Sequence, residues 1–178
     1  MKRLIIILPF VLCFIISCQD KAAKAELGQF KAQQEIEEQN IALIEQLFEE
    51  LNNRYFQIYE ELGDPEYRFY SPSNNPNPLS LEDFRGFVDM IGTAFPDASW
   101  EIKEVFAEGD RVIVWNVFSG THEGEFQGVP ATGIKVQVSS ILIFRIRDGK
   151  IIEEREEADM LGVMRQIGME LKIKEESN

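Results

Sequence analysis

Histidine occurs once and cysteine twice in the 178 residues, and the two residue types form no close-spaced cluster. No familiar zinc site or thiol nucleophile can be assembled from them, which leaves metal hydrolysis and cysteine catalysis without support. The chain also lacks a Gly-rich phosphate loop, a Gly-x-Ser-x-Gly elbow and any internal repeat, so nucleotide and triad chemistry have no motif to stand on. Basic residues are scarce: 18 Lys and Arg face 31 Asp and Glu, a formal charge of −13. Such a field repels nucleic acid and offers it no basic groove, and no DNA or RNA partner is expected.

What is present begins with a segment that reads as an address. Lys2 and Arg3 precede an apolar run from Leu4 to Ile16, followed by Ser17 and Cys18. That is the order of a secretory signal, and the run is shorter than the roughly 17 to 25 residues that span a bilayer. Its end, "IISC", resembles the box of a bacterial lipoprotein, in which the cysteine is acylated and becomes the new N-terminus. The resemblance implies fatty acyl chains, palmitate among them, on Cys18, and a lipid-anchored location on a membrane of the bacterial cell envelope. An ordinary signal peptide cut nearby is the other reading. With Cys13 leaving in the signal, the mature domain has no cysteine pair, and packing alone must hold it. The expected organisation is a signal peptide over 1–17, a polar stalk over 18–34 and one folded domain over 35–178.

Within that domain Ile44, Leu47, Phe48, Leu51, Tyr55, Ile58, Tyr59 and Leu62 recur at spacings of three and four. They predict a helix to Gly63, kinked or split at Asn52-Asn53. "EYRFY" (66–70) alternates as a strand, and "SPSNNPNP" follows as a loop. Ser80 with Asp83 caps a helix that carries Phe84, Phe87, Val88, Ile91 and Phe95 and ends at Pro96. Four β-branched and aromatic runs then cover 98–107, 111–121, 134–147 and 150–158, divided by turn signals at Gly109-Asp110 and Asp148-Gly149. A short helix follows Asp159. The element order predicts an α+β domain with helices packed on one face of a curved antiparallel sheet.

The stretch from "AFPDASW" through "GTHEGEFQGVPATG" and "RDGKII" to "ADMLG" resembles the SnoaL-like polyketide cyclases, also called ester cyclases, over about residues 40 to 170. The resemblance implies the cone-shaped fold of nuclear transport factor 2, with a pocket between sheet and helices. It also implies an aspartate late in the chain acting as general acid and base for an intramolecular aldol closure, with no cofactor and no metal. The matching position is Asp159. Where relatives commonly have tryptophan and histidine, this chain has Arg155 and Glu154.

For an apolar small molecule in such a pocket, the candidate contacts are Trp115, Phe118, His122, Phe126 and Arg145. Trp115 is expected to form a wall. His122 has two readings, a turn residue in the Gly-rich loop and a pocket group able to titrate near neutral pH. Arg145, if buried, needs a carboxylate partner, for which Asp159 and Glu157 are candidates. Three functions remain open: a cofactor-independent cyclase or isomerase, a binding lipoprotein without turnover, and an envelope scaffold that forms a homodimer through the sheet. The address itself is testable: cells fed labelled palmitate should mark the wild-type chain and not Cys18→Ser, and equal labelling of both would refute lipidation at Cys18.

Overall fold

The computed structural model describes residues 7–170 and 172, with side chains from residue 23. The side chain of Cys18 and the segment 1–6 therefore lie outside what is described, as do Leu171 and residues 173–178. Among the described residues no helix is long and apolar enough to cross a membrane.

Helix α1 runs from Ile7 to Asn52, α2 from Ile58 to Leu62 and strand β1 from Gly63 to Tyr70. After helix α3 (Leu81–Ala94) come β2 (Ser99–Glu108), β3 (Arg111–Thr121), β4 (Lys135–Arg147) and β5 (Lys150–Ala158), then α4 (Met160–Gln166). Residues 23–36 of α1 are exposed throughout, whereas Ile44, Leu47, Phe48 and Leu51 are buried against the sheet. Two contacts fix the helix along β2. At one end Glu37 accepts from the Gly109 N–H (2.9 Å) and Asn40 donates to the Gly109 carbonyl (3.1 Å). At the other the Asn52 side-chain amide pairs both ways with the Trp100 backbone, at 2.8 Å each. The second pairing draws Asn52 out to the sheet, and Arg54 takes φ +66° two residues on, so the helical stripe is split rather than kinked. Ser80 and Asp83 form a full capping box at the start of α3.

The strands pair in the order β1-β5-β4-β3-β2. The β2–β3 and β4–β5 hairpins close with two-residue turns. Gly109 alone has positive φ in the first, whereas Asp148 (+52°) and Gly149 (+71°) both do in the second. These are the II′ and I′ patterns that match strand twist. The antiparallel expectation needs one correction: β1 joins β5 in parallel. Because α3 and three strands separate the two in the chain, β1 reaches the free edge of β5 by a crossover and not by a hairpin.

Alternation along β3 and β4 separates two faces. Val112, Val114, Asn116, Val136, Ser140, Leu142, Phe144 and Ile146 point to the helices and are buried. Ile113, Trp115, Ile141 and Ile143 point out, and with Phe106 they pair as neighbouring rungs on the outer face. Leu47→Ala, which empties fully buried space, should cost about 2–5 kcal/mol in urea unfolding, whereas Trp115→Ala on the outer face should cost about 1 kcal/mol or less. Equal losses would mean that the faces are misassigned.

Candidate functional site

Two irregularities in the strands decide what the inner face carries. In β5, Ile146 pairs with Ile151 but Arg145 pairs with Glu153, so Ile152 is an extra residue opposite that step. An added residue reverses the parity of everything after it. Beyond this bulge Phe144 pairs with Glu154, Leu142 with Glu156 and Ser140 with Ala158, and the carboxyls of Glu154 and Glu156 face inward. A second bulge at Lys103 in β2 keeps Val105 and Ala107 inward after Ile102.

Between this face and helices α1 to α4 lies a cavity of about 900 Å³, measured out to its opening to solvent. Its walls are mostly aromatic and aliphatic, with Phe48, Phe69, Phe84, Trp100, Phe118 and Phe126 among them, and its polar groups are Tyr59, Asn116, Ser140, Glu154 and Glu156. No Lys, Arg or His lines it among the described residues.

Glu154 is 2% exposed and its Oε2 accepts from the hydroxyls of Tyr67 (2.7 Å) and Tyr59 (3.3 Å). Burial pushes its pKa from 4.5 up to about 8, with the nearby Glu156 charge adding to the rise and the tyrosine hydrogen bonds opposing it. Burial also raises Glu156, against hydrogen bonds from Ser71 and Ser140. Both tyrosines are held protonated, chiefly by burial. The site thus presents a carboxyl group that exchanges a proton close to neutral pH inside an apolar enclosure.

The residues expected from sequence fall in different places. Phe118 and Phe126 line the cavity. Trp115 does not: it is 42% exposed on the outer face, its indole donating to Ser139 (2.8 Å), because it is one residue out of step with Val114 and Asn116. Arg145 is outward for the same reason and half-exposed; among the described residues it forms an ion pair with Asp110 at 3.7 Å and none with Asp159 or Glu157. Arg155 also leaves the cavity, bonding Glu153 and the Ser73 carbonyl while its guanidinium covers the Tyr70 ring.

His122 is fully buried but stands outside the cavity lining. Its Nδ1 lies 3.0 Å from the Thr132 hydroxyl, and its backbone receives Thr132 and Gly133 while donating to Ile134. The ring tilts against Phe95 and the histidine closes the loop 120–133. Glu123 and Gly124 donate from that loop to the Ala94 carbonyl at the end of α3, where a Cβ on Gly124 would lie 2.5 Å from the Thr93 oxygen. The turn reading of His122 is therefore the one its contacts support. Asp159 is exposed, absent from the cavity wall, and caps α4 by accepting from Gly162 N–H at 2.8 Å. Sequence reasoning missed Glu154 and Glu156 as site residues, and it missed Tyr59 and Asn116. The signal that could have found the carboxyls was the length of the apolar pair Ile151-Ile152, which breaks the alternation of β5.

Residues 42–167 match the sequence profile of the SnoaL-like polyketide cyclases. The aklanonic acid methyl ester cyclase DnrD of Streptomyces peucetius is 35% identical over 53% of this chain and 66% of its own length. The nogalonic acid methyl ester cyclase of Streptomyces nogalater is 30% identical over 52% and 75%. The match spans just under two thirds of DnrD. Among solved structures, AclR of Streptomyces galilaeus, described as a proposed hydroxylase, superposes with a TM-score of 0.68 at 27% identity, over 76% of this chain and 89% of AclR. A proposed SnoaL-like polyketide cyclase from Jannaschia gives 0.67 at 30% identity, over 76% and 96%.

Because the Glu154 pKa is raised on folding, its stabilising contribution is complete below about pH 4.5 and is lost as pH climbs through about 8. Unfolding free energy of the wild type should fall across that window by up to ~1.4 kcal/mol per pH unit from this group. Glu154→Gln, which keeps an acceptor for Tyr67, should flatten the slope and leave only the part due to Glu156. Identical slopes in urea titrations at pH 5, 6, 7 and 8 would contradict the burial of an ionisable Glu154.

Proposed function

The chain belongs to the SnoaL-like polyketide cyclase family, and from that premise we propose that it is a cofactor-independent enzyme of the cyclase or isomerase kind, acting on an apolar small molecule. The observation that carries this reading is the carboxyl of Glu154, buried in the wall of the aromatic cavity and shared by two tyrosine hydroxyls. As carboxylate it takes a proton from the carbon beside a substrate carbonyl. The resulting enolate attacks a second carbonyl of the same molecule in a cyclase, or is reprotonated elsewhere in an isomerase. As acid it returns the proton to the oxygen or carbon left negative, so no external reactant is consumed. A group near pKa 8 serves both directions close to neutral pH. Asp159, spent on the α4 cap and outside the cavity, is assigned a structural role in this scheme.

The same proposal places the domain on an envelope membrane through lipidated Cys18, supported by the basic start, the short apolar run and the "IISC" sequence. The exposed residues 23–36 would hold the domain away from the surface. A second reading, a non-catalytic module that binds its ligand and dimerises, is favoured by the apolar ladder Phe106, Ile113, Trp115, Ile141 and Ile143 on the outer face. Turnover separates the two. In D₂O the protein should accelerate exchange of the α-protons of 2-tetralone, an apolar aryl-fused ketone, as followed by proton NMR. Glu154→Gln should lose roughly 10² to 10⁴ of that acceleration, and Asp159→Asn should retain it. No acceleration would favour the binding module, and loss confined to Asp159→Asn would return the chemistry to that aspartate.

A further inference from the structure

Asn116 is 1% exposed, lies on the inner face of β3 and forms part of the cavity wall. Its Nδ2 donates to the Ser140 hydroxyl at 2.9 Å, while its Oδ1 has no hydrogen-bond partner. The amide is oriented with Nδ2 toward the Ser140 oxygen, which accepts from it. The Asn116 carbonyl oxygen is then turned away from Ser140 and left free. An acceptor buried without a donor costs about as much as a lost hydrogen bond, and it is relieved only by a group that brings a proton.

None of the hydrogen bonds found in the wall reaches this oxygen. Tyr59 donates to Glu154, and Tyr67 does the same. Two carboxyls and no Lys, Arg or His complete the inventory among the described residues. Among the described residues the wall therefore holds no cationic side chain to pair with an anion.

We infer that Asn116 is a specificity-determining residue whose Oδ1 accepts a hydrogen bond from the ligand, and that the cavity takes apolar molecules bearing a hydroxyl or other neutral donor and rejects carboxylates. The inference rests on the cavity being the ligand site proposed above. Ionised carboxylates fail twice, since they cannot donate to Asn116 and they would be buried beside Glu154 and Glu156 without a cation. An apolar ligand of equal shape without the donor fits the walls but leaves Oδ1 unpaired.

Three probes on one ring system test this by calorimetry with the purified full-length chain: 2-naphthylmethanol, 2-ethylnaphthalene and 2-naphthoate. The alcohol should bind about tenfold tighter than the ethyl compound, the worth of one hydrogen bond to a buried acceptor, and the naphthoate should not bind measurably. In Asn116→Leu, which keeps the side-chain size and removes the acceptor, the alcohol and ethyl affinities should become equal. Equal affinities already in the wild type, or a gap that survives in Asn116→Leu, would overturn the assignment to Asn116 while leaving the cavity as a binding site. Naphthoate binding as tightly as the alcohol would overturn the exclusion of anions. If none of the three binds, the cavity reading itself fails, and this inference with it; the wild-type comparison stands even if Asn116→Leu does not fold.

Discussion

One inserted residue, Ile152, governs the chemistry of the interior. Were Ile152 paired in regular register, Glu153, Arg155 and Glu157 would turn toward the helices. With the bulge, Glu154 and Glu156 face inward, and Glu153 and Arg155 form an ion pair away from the cavity that ties the Ser71–Ser73 loop to the sheet. A strand offers a binary choice at every position, and a bulge is the local device that reverses the choice. The same strand accepts β1 in parallel, which brings Tyr67 within reach of Glu154. The proton-exchanging group, its tyrosine partners and the outward arginine are consequences of a single register step.

That arrangement works against the stability of the fold. A buried carboxyl paired with Phe144 across the sheet loses hydration that the Tyr59 and Tyr67 hydroxyls only partly replace, and the Glu156 charge opposes its ionisation further. An apolar residue at 154 would pack without such a penalty. The fold carries the cost in a region where two separate buried clusters, one against α1 to α3 and one around Phe95, Phe126, Val136 and Val163, hold the sheet and helices on either side. Strain of this kind is tolerated where a pocket needs a group of intermediate acidity.

Much of the architecture was legible from residue pattern alone. The stripe Ile44 to Leu62, the capped helix from Leu81, the four long strands and both two-residue turns follow from periodicity and turn chemistry, because local preference and tertiary packing agree there. The site was less legible. Trp115 and Arg145 attract attention as large or charged side chains in apolar strands, yet their position relative to Val114 and Phe144 sends them outward, and large side chains are common on a half-buried face. Parity on β5 hung on the adjacent pair Ile151-Ile152, a faint mark of the bulge in an otherwise alternating strand. Likewise the parallel edge β1 depends on a crossover that has no local signature.

Signature residues in this chain serve geometry more than chemistry. Asp97, from the Phe-Pro-Asp step, binds the backbone and hydroxyl of Thr121, and those hydrogen bonds keep its carboxyl below the usual range. Thr121 precedes His122, whose buried ring and backbone close the glycine loop onto the end of α3. Two of the motifs that carry the family resemblance are thus halves of one clamp, which sets the position of Phe95 and Phe126 on the cavity wall. A clamp of that kind fixes the shape of the enclosure and leaves its polar groups free to differ. The chain can accordingly share a fold and a loop with ester cyclases while carrying a buried carboxyl at Glu154, on a strand, beside an exposed Asp159 whose carboxylate accepts from the helix it starts.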